Sequence, residues 1–211
     1  MIKQKENKNV GQFEKIGSFI FILGIAVISF KFVYNQSITH QENKHIDEFI
    51  EETKVIDDVS KVEIKEDTTS LKKETTYSYI GVLEIPSISL KKGFVDISSK
   101  YNNVNYNLEI LKDSDMPNIT NGNFIIASHS GTGRIAYFKN LDKLKIDDIS
   151  YIYYDGIKYT YKTTNIYDIE KTGSATIHRN KNKTTLTMIT CRSKTNKQIV
   201  VIAELVSKDN Y

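Results

Sequence analysis

The chain has 211 residues and a mass of 24.2 kDa, room for one domain of ordinary size plus accessory segments. A hydrophobic fraction of 39% supports a core, thirteen Tyr and nine Phe favour β-structure, and two Pro with ten Gly exclude collagen-like or proline-rich low complexity. The single cysteine, Cys191, excludes an intramolecular disulfide framework and a Cys-only metal site, and a net charge of +3 is too balanced to point to nucleic acid.

Charge divides the chain into three blocks. Residues 1–34 carry five Lys against two Glu, residues 35–75 carry six Lys against eleven acids, and residues 76–211 carry eighteen cations against thirteen acids. In the first block a basic head, residues 1–15 with Lys3, Lys5, Lys8 and Lys15, precedes the apolar run Ile16–Phe30. If Lys31 snorkels to the far interface the run extends to Tyr34, just long enough to cross a bilayer, which needs about 20 residues. A cleaved signal peptide is the alternative, but no small-x-small site follows; the sequence there reads Lys31, Phe32, Val33, Tyr34. A buried core helix would leave the basic flank unexplained. The expectation is an uncleaved single-pass anchor at 16–34, its basic end cytoplasmic and the remainder outside the cell.

The second block, 35–76, opens with Ile46, Phe49 and Ile50 at helical spacing between Gln41 and Lys54, then becomes polar and charge-dense. Such a composition buries too little apolar surface to offset its ordering entropy. It reads as a polar stalk with a short helix, with partner binding by that helix a lesser alternative.

The third block, 77–211, changes character. Short alternating runs appear between turn signals: YSYIGVLEI, GFVDI, NFIIASHS, DISYIYYDGIKYTYKTTNIYDI, TTLTMITC and QIVVIAEL. Tyr154–Ile157 (YDGI) sits between two aromatic-rich runs, the pattern of a tight hairpin. Tyr137–Leu144 suits a short helix with Phe138, Leu141 and Leu144 inward. Six or more short strands in so short a span predict an all-β-dominated, closed or nearly closed antiparallel-rich barrel. There is no repeat and no phosphate-binding glycine loop; GTG at 131–133 reads as a turn.

Cys191 ends the run TTLTMITC, immediately before a polar turn. A lone cysteine is most often a small buried hydrophobe. An oxidising exterior makes an unused thiol a liability, and a strand end holds a nucleophile rigidly beside an open loop. A thiol also needs a base. His40 and His45 lie in the stalk and His178 among the cations of HRNKNK, whereas His129 closes the run NFIIAS. A structural histidine there is the plainer reading; a Cys–His pair is the sharper one.

Several segments together resemble the sortases, the cysteine transpeptidases of Gram-positive cell surfaces. They are YIGVLEIPSISL (79–90), GNFIIASHSGTG (122–133), FKNLDKLKIDDISYIYYDG (138–156), TMITC (187–191) and QIVVIAEL (198–205), in the family's order and spacing. The resemblance implies an eight-stranded sortase-like barrel and a two-step exchange. Cys191 would cleave a Thr–Gly-type bond in a C-terminal sorting signal of a surface protein. His129 would serve as acid, then as base, as an amine of a cell-wall precursor or pilin takes over the acyl group. The thioester keeps the energy of the cleaved bond, so no cofactor, nucleotide or metal is implied.

The chain departs from the family at the arginine expected on the last strand, where it reads Gln198 preceded by Lys197. Arg192, beside Cys191, is one candidate substitute and Gln198 the other. The family's Gly-Asp turn reads Asp147-Asp148 here. A cysteine hydrolase of wall peptides and a non-catalytic anchored β-module that binds sorting signals remain the alternatives.

Overall fold

The computed structural model describes residues 7–53 and 78–211. Helix α1 (Asn7–Glu52) contains the whole apolar run, whose side chains from Ile16 to Tyr34 are exposed. It is long and apolar enough to cross a membrane. The helix up to His45 forms one body, and from Ile46 the chain belongs to a second. Within that second body three contacts fix the last helical turns. Ile46 is fully buried, Asp47 Oδ1 meets Lys91 Nζ at 2.5 Å, and the Thr53 and Tyr211 hydroxyls are 2.7 Å apart. The remainder of the expected stalk, residues 54–76, lies outside the described residues, as does residue 77.

The second body is an eight-stranded, nearly closed barrel. Its strands are β1 (Tyr79–Ile85), β2 (Leu90–Val95), β3 (Glu109–Ile110), β4 (Asn123–Ala127), β5 (Ile149–Tyr154), β6 (Ile157–Glu170), β7 (Thr185–Cys191) and β8 (Lys197–Asn210). They lie in the order β2-β1-β5-β6-β8-β7-β4-β3. β4 and β7 run parallel, the other neighbouring pairs antiparallel, and a bridge from Phe94 to Leu108 joins the two edges. The two-residue strand β3 was too short to give an alternation signal, and β8 runs five residues beyond the apolar stretch.

Local chemistry sets the turns. Asp155 (φ 53°) and Gly156 (φ 70°) both take left-handed backbone, the requirement of the two-residue hairpin that joins β5 to β6. The short helix expected near 141 is a single 3-10 turn, Leu141–Lys143, and Phe138, Leu141 and Leu144 are buried beneath it. Gly81 is a steric necessity: a Cβ there would lie 2.3 Å from Phe94 Cζ, where β1 has a register shift against β2. Asp147, which stands at the family's glycine, adopts φ 75°.

Side-chain alternation in the central strands builds two apolar layers. The barrel interior takes Leu83, Phe94, Phe124, Ile126, Leu186, Met188, Ile199 and Val201, with the Phe94 and Phe124 rings 5.2 Å apart. The outer face of β4, β7 and β8 takes Ile125, Ile189, Val200 and Ile202, overlaid by Leu111, Tyr167, Ile169 and Ile177. β7 is therefore buried on both faces, which explains its near-continuous apolar and threonine content.

Candidate active site

The parallel pairing of β4 with β7 decides where the two strand-end residues go. Ala127 is in register with Ile189, and the ladder continues past β4. Ser128 N–H donates to Ile189 O (3.4 Å), and Thr190 Oγ1 donates to Ser128 O (2.6 Å). Two residues beyond the Ala127–Ile189 pair stand His129 and Cys191. Ile125 and Ile189 lie in the outer layer, so the same two-residue period brings both side chains to the outer face. Both are half-buried. Thr190, by tying the Ser128 carbonyl, holds the two strand ends together just before the reactive positions.

The antiparallel pairing of β7 with β8 supplies the third neighbour. Gln198 is the cross-strand partner of Cys191 and, on its other side, of Ile169 in β6. Arg192 N–H donates to Lys197 O at 2.9 Å, so the adjacent Cys191–Gln198 pair is the non-hydrogen-bonded kind, with the closer side chains. Gln198 shares the outer face with Val200 and Ile202.

Arg192 and Lys197 fall on the other face. Arg192 Nε donates to Asp168 Oδ1 at 2.7 Å, and Asp168 is the partner of Ile199, whose side chain belongs to the interior layer. Lys197 stands 3.9 Å from Glu170. The structure thus brings His129, Cys191 and Gln198 to one surface and ties Arg192 into an ion pair on the opposite one.

One neighbour escaped the sequence reading. Asn105 Oδ1 lies 3.4 Å from His129 Nε2, on a turn whose own side chains cap it: Asn105 N–H donates to Asn103 Oδ1. It comes from a segment without alternation, so no pattern marks it. The loop after His129 folds back at once, Phe138 N–H donating to His129 O at 3.0 Å, and this fixes the backbone that carries the imidazole.

The β6–β7 connection, residues 171–184, crosses the outer layer. Ile177 packs on that layer, Tyr167 Oη donates to Thr176 O (3.0 Å), and His178 N–H donates back to Tyr167 Oη (2.9 Å). Burial pushes the Tyr167 hydroxyl above its ordinary pKa, partly offset by the His178 N–H. The site is therefore a strand-end pair at the mouth of an apolar surface walled by this loop. Among the described residues no cluster of His, Cys, Asp or Glu could hold a metal ion.

The family model for the sortase domain matches residues 83–206, which include every residue named above for this surface. The chain belongs to the sortase family. The fold of this sortase is similar to that of a sortase D5 transpeptidase from Clostridium perfringens, at 25% identity and a TM-score of 0.52, covering 61% of this chain and 79% of that one. It is also similar to sortase A of Listeria monocytogenes (20% identity, TM-score 0.54, 64% and 91% covered). Sortase C2 of pilus island 1 from Group B Streptococcus gives 20% identity, a TM-score of 0.56, and 66% and 83% covered. No curated protein matches the chain. The eight-stranded barrel expected from the sequence is the fold of these relatives, and a transpeptidase of the sortase kind is what the family assignment supports.

Proposed function

We propose that this sortase is a membrane-anchored cysteine transpeptidase acting on C-terminal sorting signals outside the cell. Residues 1–15 form its cytoplasmic head, 16–34 its membrane span, 35–76 a linking stalk that begins helical, and 77–211 its catalytic domain. Cys191 Sγ, as thiolate, attacks the carbonyl carbon of a Thr–Gly-type bond and forms a tetrahedral oxyanion. The Gln198 side-chain amide and backbone N–H groups near Cys191 donate to that oxyanion. Collapse breaks the C–N bond, His129 gives its proton to the departing amine, and a thioester remains on Cys191. An amine of a cell-wall precursor or pilin then attacks the thioester, neutral His129 takes its proton, and the thiolate leaves. Atoms and charge balance without cofactor or nucleotide.

The observation that carries this reading is the register that sets His129 and Cys191 at adjacent ends of parallel strands, with Gln198 directly across from the thiol. Gln198, an uncharged hydrogen-bond donor, shares their face. The test uses the full chain in detergent micelles, incubated with Thr–Gly-containing peptides with and without added amines and followed by mass spectrometry. The expected result is a peptidyl adduct on Cys191 and a product that grows with amine concentration. Cleavage with no adduct on Cys191 would defeat the proposal, and hydrolysis indifferent to amine would make the protein a peptidase.

A further inference from the structure

From Lys171 to Ala203 the sequence contains no acid, yet it contains Lys171, Arg179, Lys181, Lys183, Arg192, Lys194 and Lys197. This segment is the β6–β7 loop, β7, the β7–β8 turn and the first half of β8, the part of the molecule that surrounds the Cys191 surface. Two of its cations are neutralised locally: Arg192 by Asp168 at 2.7 Å, and Lys197 by Glu170 at 3.9 Å. The other five meet no carboxylate among the described residues.

Among these cations the Arg179 guanidinium is held in place. Arg179 Nη1 donates to the carbonyls of Asn121 (3.1 Å) and Lys183 (3.3 Å), which fixes a guanidinium with no counter-charge. Lys171 N–H donates to Asn196 O (3.1 Å) at the other end of the loop, beside the turn that follows Cys191. Between them Ile177 and the Tyr167 hydroxyl clamp the loop onto the outer apolar layer. Cationic positions therefore frame both ends of the surface. Asn121 precedes β4 and His129 follows it, so an extended peptide with its reacting bond at Cys191 reaches the Arg179 end in about eight residues, or about 26 Å.

We propose that the peptide substrate of this site is acidic, its Asp or Glu side chains received by the β6–β7 loop with Arg179 as the principal contact. The inference rests on the transpeptidase reading and adds the charge class of its substrate. A carboxylate offers Arg179 the bidentate partner that the fold withholds, and the surplus positive field raises the encounter rate of acidic peptides.

The experiment compares Thr–Gly-containing peptides that carry Glu, Gln or Lys at successive positions within about eight residues of the Thr–Gly bond. Two readouts are taken on the full chain in detergent micelles: the rate of Cys191 adduct formation, and binding to Cys191→Ala by fluorescence anisotropy. Glu-bearing peptides are expected to bind and acylate at least about 10-fold better than Lys-bearing ones, with the gap closing at high salt. Arg179→Glu should reverse the preference. Because Arg179 also braces the loop, the double variant Lys181→Glu/Lys183→Glu provides an independent reversal. Charge-indifferent binding and acylation would overturn the proposal while leaving the transpeptidase intact. A charge preference confined to the amine-transfer step would overturn it too, and would assign the field to the acceptor. Acid-selective binding without any adduct would uphold the acidic site and defeat the transpeptidase reading.

Discussion

The two faces of the β7–β8 hairpin differ in what they do with neighbouring residues. On the outer face Cys191 lies opposite Gln198 and beside the strand end that carries His129, over an apolar floor of Ile189, Val200 and Ile169. On the other face Arg192, next in sequence to Cys191, is spent on Asp168. One face leaves its polar groups open to a reacting bond; the other satisfies its charges internally. Adjacency along a strand therefore argues against a shared site, because the two-residue period separates neighbours, whereas cross-strand pairing unites residues far apart in sequence.

Changes on the two faces should differ in kind and size. Cys191→Ala should abolish the acyl adduct, since no other thiol exists, while leaving thermal unfolding nearly unchanged; residual transpeptidation would remove the thiol from the chemistry. His129→Ala should lower turnover by roughly 10² or more, the usual size of lost acid–base catalysis, and near-normal turnover would return the histidine to a structural role. Gln198→Ala should slow acylation by about 10², the loss of one oxyanion donor, measured by single-turnover mass spectrometry. Arg192→Ala should stay within about fivefold of native acylation and cost about 0.5–1 kcal/mol of stability, the value of a half-exposed ion pair. The smallest effect is expected at Asp147→Gly, which relieves left-handed backbone (φ 75°) while giving up an exposed ion pair to Lys162; a gain of about 0.5 kcal/mol should appear in denaturant midpoints.

The sequence made the barrel legible because its strands alternate strongly and its hairpin carries Asp-Gly, both local signals. It made β3 and the segment holding Asn105 invisible, because two residues show no period and the contact with His129 is made across 24 positions. The site was legible in part. Cys191 and His129 stood out as strand ends of complementary chemistry, and the face of Gln198 followed from counting along β8. That Arg192 turns to Asp168 was not readable, since it depends on the register of β6 against β8, including two bulges in that pairing. The acid-free stretch from Lys171 was visible as composition, but its place around the thiol needed the fold.

The central claim is that Gln198, not Arg192 or Lys197, shares the face of Cys191, and a cross-strand disulfide tests it directly. A non-hydrogen-bonded antiparallel pair has Cα atoms about 4.5 Å apart, within disulfide range. Gln198→Cys and Lys197→Cys are each oxidised mildly, then assayed for free thiol and for the loss of two hydrogens in intact mass. The account predicts rapid intramolecular closure in Gln198→Cys and none in Lys197→Cys. Closure in Lys197→Cys with free thiols persisting in Gln198→Cys would contradict it.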